Sequence, residues 1–202
     1  MAAPIPNPIS NPKAGAPARA PLPGRPTPRR SSIGVRALTL ALAAAVVVAD
    51  QTSKAWVLTH LAPGPLRPWW PGLLALQRVS NRGAAFSLFS GSIQWLTLVS
   101  LLVSAAVLLW ILWRPPQSAW IRLALGFLLG GAVGNGIDRL RHGAVTDFLA
   151  TQPFSFPVFN LADVAINVAV ACFLIDQLLL AGRASEGATG SARRHPNDRG
   201  HG

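Results

Sequence analysis

The chain has 202 residues, half of them hydrophobic and only 12% charged, yet its net charge is +11. Soluble globular chains carry about 25% charged residues, so this composition, with a mean hydropathy of +0.38, argues against a soluble domain and for a compact membrane bundle. The positive charges lie mostly in tails and flanks of apolar runs, which argues against nucleic acid as a partner.

Residues 1–34 are rich in Pro, Ala and Arg and show neither helical nor strand periodicity. This reads as a disordered basic tail. The next apolar run lacks a clear small-residue cleavage site and leads directly into Asp50 and Lys54, so it reads as an uncleaved first span, Val35 to Leu58. Its charge-free part, Ala37 to Ala49, is shorter than the ~20 residues a bilayer requires. Asp50 and Lys54 therefore belong to the span, at i,i+4 with the acid first, the favourable order for a pair. A snorkelling lysine with its partner is the bland alternative.

Residues 59–92 form a loop in which Trp69 and Trp70 suit a membrane–water interface. The segment from Leu73 to Gly91 reads as short strands around a turn at Asn81 to Gly83, with no chemistry of its own. Ile93 to Trp113 is a span without a charge, ended by Arg114-Pro115-Pro116. A third span runs from Ala119 to Ile137. Its Gly126, Gly130 and Gly134 form a stripe that admits a close neighbour. A fourth runs from near Asn160 to near Leu180. Residues 35–181 are thus the membrane domain, and 182–202 read as a second disordered basic tail. Cys172 is the single cysteine; it excludes an intrachain disulfide and reads as packing. The two tails and the link between spans two and three hold twelve Lys and Arg, against six elsewhere. Both termini are then expected in the cytoplasm.

Only seven residues are acidic. In that topology Asp50, Asp138, Asp147 and Asp163 converge on the outer membrane surface, while Asp176 lies near the cytoplasmic end of span four. An Asp at the centre of a spanning helix costs roughly 2.5–3.5 kcal/mol, so an acid at this depth is a functional candidate. Two neighbouring carboxylates share one proton. The ionised member can take a proton from a water that attacks an amide carbonyl, and the protonated member can donate to the carbonyl oxygen. Asp147 and Asp163 are the proposed pair. Each acid keeps an alternative: Asp163 as a capping acid after Asn160, Asp147 as an exposed loop acid, Asp138 in an interfacial ion pair with Arg139. Asp138 and His142 at i,i+4 make a poor metal site. Ser53 and Lys54 are adjacent and cannot face each other as a dyad. A proton- or ion-coupled transporter and a membrane scaffold remain competing classes, although the acids cluster at one face and no repeat appears.

Five ordered motifs carry a resemblance: Asp50-Gln51-x-x-Lys54, Asn81-x-Gly83-Ala84-Ala85-Phe86-Ser87, Gly134-Asn135-x-x-Asp138-Arg139, Val145-x-Asp147-Phe148 and Phe159-Asn160-x-Ala162-Asp163. Across most of residues 37–180 the chain resembles the lipoprotein signal peptidases, the bacterial signal peptidase II family. The resemblance implies an all-α polytopic membrane protein: four transmembrane helices with a small extracytoplasmic β-sheet and a short helix. It implies an aspartic endopeptidase of the bacterial inner membrane that acts in lipoprotein maturation. Its substrate would be a lipid-modified prolipoprotein, cut before the diacylglyceryl-cysteine, with no metal or other cofactor and with globomycin-type inhibition. Asp147 and Asp163 match the catalytic aspartates. Asn81, Asn135, Arg139, Asn160, Asp50, Lys54 and Asp138 match positions that bind substrate or support the site. The Pro-rich start departs from the family pattern.

Overall fold

A computed structural model describes residues 32–83, 93–116, 118–152, 154 and 156–192, the side chains of 184–192 excepted. The Pro-rich tail before Ser32, the motif residues Ala84 to Ser87 and the segment after Ala192 lie outside the described residues. Among the described residues four helices are long and apolar enough to cross a membrane, and the chain is a multi-pass membrane protein. They are α1 (Ser32–His60), α2 (Ile93–Trp113), α3 (Ala119–His142) and α4 (Leu161–Ala192). Three strands, β1 (Arg67–Trp70), β2 (Leu74–Asn81) and β3 (Val145–Thr151), form an antiparallel sheet in the order β1-β2-β3. No further helix occurs among the described residues.

The helices form near where the sequence reading puts them, although α3 continues past Ile137 to His142, and α3 is capped at both ends. The Ser118 hydroxyl accepts the Trp120 amide at the start of α3, and Gly143, at φ 61°, closes its end. Helix α1 begins at Ser32 rather than near Val35. Helix α4 runs on to Ala192, although its apolar spanning part ends at Arg183.

Helix α3 is the centre of the bundle and packs on α1, α2 and α4. Its glycine stripe explains how. A Cβ on Gly130 would fall 2.5 Å from Val46 Cβ, and one on Gly126 would fall 2.8 Å from a Leu42 methyl. Close backbone approach between α1 and α3 therefore requires these glycines. Ala43, Val107, Ile111, Leu125 and Leu129 fill the space between α1, α2 and α3. Large apolar side chains such as Leu102, Trp110, Val170 and Leu178 face outward, as expected where lipid rather than water is the solvent.

The sheet caps one end of the bundle. Val57 of α1 and Leu61 just after it pack against Phe148 and Leu149 of β3. The Arg78 guanidinium donates to the carbonyls of Leu58 and Leu61 at the C-terminal end of α1. The hairpin turn lies at Pro71–Leu73, where Gly72 has φ 73°, and β2 runs through Val79 and Ser80 to end at Asn81. Asn81 to Gly83 does turn, with the Gly83 amide donating to Asn81 Oδ1 at 2.9 Å, but residues 84–92 after it lie outside the described residues.

Candidate active site

Two groups of acids meet where α1, α3, β3 and α4 converge, and both are built from short-range geometry. The first surrounds Lys54, which is 2% exposed. Its ammonium reaches Asp50 Oδ2 at 2.8 Å, Asp138 Oδ2 at 3.2 Å and Asn135 Oδ1 at 3.0 Å. Three acceptors meet three N–H donors, so the lysine is fully paired rather than snorkelling. Gln51 Nε2 donates to Asp50, to Asp138 and to the Gly134 carbonyl. Asp50 Oδ1 accepts the Ala162 amide, and Asp138 Oδ2, which also faces Lys54, accepts the Thr146 amide. Asp50 thereby ties α1 to the start of α4, and Asp138 ties α3 to β3.

This corrects one expectation. Asp138 does not pair with Arg139; its carboxylate turns inward to Lys54, Gln51 and the Thr146 amide. Neighbours on a helix point in different directions, and the partner arrives from α1, which the local sequence does not show. Arg139 instead donates from Nη1 to the Ser100 hydroxyl of α2 at 2.9 Å. Its Nε is buried without a hydrogen-bond partner among the described residues.

The second group holds Asp147 and Asp163. Asp147 sits on β3, not in a loop, and is 2% exposed. Its register partner on β2 is Val79. Beyond β3 the chain returns, and Phe159 pairs with Leu149 through backbone bonds of 2.8 and 3.0 Å. That pairing lays Asn160 beside Asp147. Asn160 caps α4: its Oδ1 accepts the Asp163 amide, while Asp163 Oδ2 accepts the Asn160 amide. This is a reciprocal capping box, so the capping role of Asp163 is real, but it uses only one of its oxygens.

Asn160 and Asn135 join the two acids. Asn160 Nδ2 donates to Asp147 Oδ1 at 2.7 Å and to Asn135 Oδ1 at 3.1 Å. Asn135 Nδ2 donates to Asp163 Oδ1 at 2.8 Å. Because Lys54 also holds Asn135 Oδ1, the amide has one consistent orientation: oxygen to the cation, NH₂ to Asp163. Asn81 Nδ2 donates to Asp147 Oδ2 at 2.9 Å from the end of β2.

Both acids line a cavity of about 1050 Å³, together with Asn81, Asn135 and Arg139 on the polar side. Val164, Ile166, Val168 and Ala171 of α4 add an apolar flank. Burial, the largest effect, pushes the Asp147 carboxyl up to about 6. The Asn81 hydrogen bond opposes the shift, the Asp163 charge adds to it, and the Asn160 bond and Lys54 charge oppose it. The arrangement therefore sets a carboxyl of raised proton affinity and a second carboxylate on one cavity.

All nine residues singled out from the sequence are in this assembly. Gln51 and Ser100 belong to it as well. Gln51 stands inside the first motif, so that motif marks it. Nothing in the sequence marks Ser100, a single hydroxyl in an apolar span.

The signal peptidase II (SPase II) family profile matches residues 42–179. A lipoprotein signal peptidase of Synechococcus sp. (strain RCC307) is 56% identical over 146 residues, covering 72% of this chain and 97% of that protein. The lipoprotein signal peptidase of Gloeobacter violaceus is 46% identical, covering 78% and 92%, and that of Lactococcus lactis is 37% identical, covering 68% and 91%. One solved bacterial membrane enzyme shares the fold at TM-score 0.66 and 24% identity, over 81% of this chain and 95% of that one. A second superposes at TM-score 0.64 with 28% identity, over 70% and 93%. With the profile spanning most of the membrane domain and relatives of this similarity aligned along nearly their full length, the chain belongs to the signal peptidase II family of peptidases.

Proposed function

We propose that this protein is an intramembrane aspartic endopeptidase that removes signal peptides from diacylglyceryl-modified prolipoproteins, cutting before the lipidated cysteine. The observation that carries this reading is the pair Asp147 and Asp163: two carboxylates bridged by Asn160 and Asn135 and facing one cavity. The family and the names of its relatives supply the substrate class.

Each residue then has a chemical task. Asp147, with its carboxyl at about 6, carries the shared proton. Asp163, which accepts two N–H bonds, takes a proton from the water. The resulting hydroxide attacks the scissile carbonyl while Asp147 donates to the carbonyl oxygen. Asp163 then delivers the abstracted proton to the leaving amine, and Asp147 is reprotonated as the tetrahedral intermediate collapses. Such acid–base steps contribute about 10²–10⁴-fold. Asn81, Asn135 and Asn160 hold the carboxyl planes, and Arg139 sets a positive charge beside them. Asp50, Lys54 and Asp138 lock the helices that carry those groups. The apolar flank on α4 suits lipid-bearing substrate. The sheet end lies outside the cytoplasm, both termini lie inside, and the membrane is the bacterial inner membrane.

The test is cleavage by the purified full chain of one prolipoprotein with and without its diacylglyceryl group. The lipidated form should be cut before its cysteine and globomycin should block the reaction. An inert enzyme, or equal cutting of both forms, would overturn the reading.

A further inference from the structure

A second cavity, of about 670 Å³, lies at the opposite end of the bundle, where α2 ends, α3 begins and the spanning part of α4 finishes. Its lining divides by chemistry. Arg114 and Arg183 supply two exposed guanidinium groups, and the first turn of α3 adds its positive end at Ser118 and Ala119. Trp110, Ile121, Leu179 and Leu180 supply the apolar wall, and Trp110, Leu179 and Leu180 are exposed. Among the described residues neither arginine has an ion pair. One acid, Asp176, also lines the cavity, but it is 6% exposed and its carboxylate is bonded to the Ser118 hydroxyl. The cationic rim thus sits at the level where the spanning helices end, directly against a lipid-facing apolar wall.

That division is the shape of an amphiphile. We propose that this cavity seats an anionic phospholipid, with its phosphate on Arg114 and Arg183 and its acyl chains along Trp110, Leu179 and Leu180. Basic pockets between spanning helices bind anionic headgroups by this same combination of charge and interfacial depth. The site is remote from Asp147 and Asp163, so it stands or falls independently of the proposed peptidase chemistry.

The test uses the purified full chain in a neutral detergent, with the thermal midpoint followed as phosphatidylglycerol, phosphatidylcholine of the same acyl chains, or inorganic phosphate is added. Phosphatidylglycerol should raise the midpoint well above phosphatidylcholine, and inorganic phosphate at equal concentration should not reproduce the rise. The Arg114→Gln/Arg183→Gln variant should need about tenfold more phosphatidylglycerol for the same rise. Arg193→Gln/Arg194→Gln, which removes the same charge from the tail, should respond as the wild type does. Arg114→Lys/Arg183→Lys, which keeps the charge, should retain most of the response. Equal responses from the glutamine variant and the wild type would overturn the proposal. So would an equal loss in the tail variant, which means general attraction, and so would an equal rise with inorganic phosphate, which means a small-anion site.

Discussion

The bundle end under the sheet holds four aspartates in two pairs, and the pairs differ in what lies between them. Asp50 and Asp138 share an ammonium: every oxygen of the two carboxylates has an N–H donor, and Lys54 has its full complement of acceptors. Among the described residues Asp147 and Asp163 make no ion pair, although Arg139 lines the same cavity. Neutral amides join them, and they face a cavity. On the proposed reading, the same side chain at nearly the same depth is structural in one place and reactive in the other. A carboxylate whose oxygens are all taken by a buried ammonium and by N–H donors is tied into the packing. A carboxyl buried against amides and a second acid has its proton affinity raised, as at Asp147.

Neutralising either member of the open pair should have the largest effect. Asp147→Asn and Asp163→Asn should each lower kcat/KM by about 10³-fold or more, read by gel shift of a lipidated prolipoprotein. The closed pair should fail differently. Lys54→Met leaves two buried carboxylates without their cation, so stability should fall by about 3–5 kcal/mol, measured as unfolding in detergent. A gentler break comes from Gly134→Ala, whose Cβ would meet Asp50 Oδ2 at 2.6 Å. Displacing that carboxylate should cost about 1–3 kcal/mol and leave the open pair's pH profile in place. The smallest effect should come from Asn81→Ala. In the wild type, Asp147 loses its proton as pH rises through about 6, so kcat/KM should fall on the alkaline side with that apparent midpoint. Removing the Asn81 donor takes away a bond that favours the ionised form, so the limb should move to higher pH. A limb that stays put or moves lower would contradict the role given to Asn81.

The helices were readable because their signals are local: apolar length and the Arg114-Pro115-Pro116 stop after the second span. The glycine stripe was readable for the same reason, and Gly126 and Gly130 do meet α1. The convergence of four acids followed from helix direction alone. What the sequence hid was long-range. The partner of Asp138 comes from α1 rather than from its neighbour Arg139. Asp147 reads as a loop acid because a strand of Val145–Thr151 is recognisable only once β2 and Phe159 lie beside it. Ser100 is one hydroxyl among apolar residues, and only the crossing of α2 over α3 brings it to Arg139.

The most direct test of this division of labour is one paired measurement on four single variants, Asp→Asn at positions 50, 138, 147 and 163. Each is assayed for cleavage of a diacylglyceryl prolipoprotein and for its thermal midpoint in the same detergent. The changes at 147 and 163 should abolish cleavage and leave the midpoint within a few degrees of wild type. The changes at 50 and 138 should lower the midpoint by much more. A folded Asp147→Asn or Asp163→Asn protein that cuts at a near-normal rate would contradict the account.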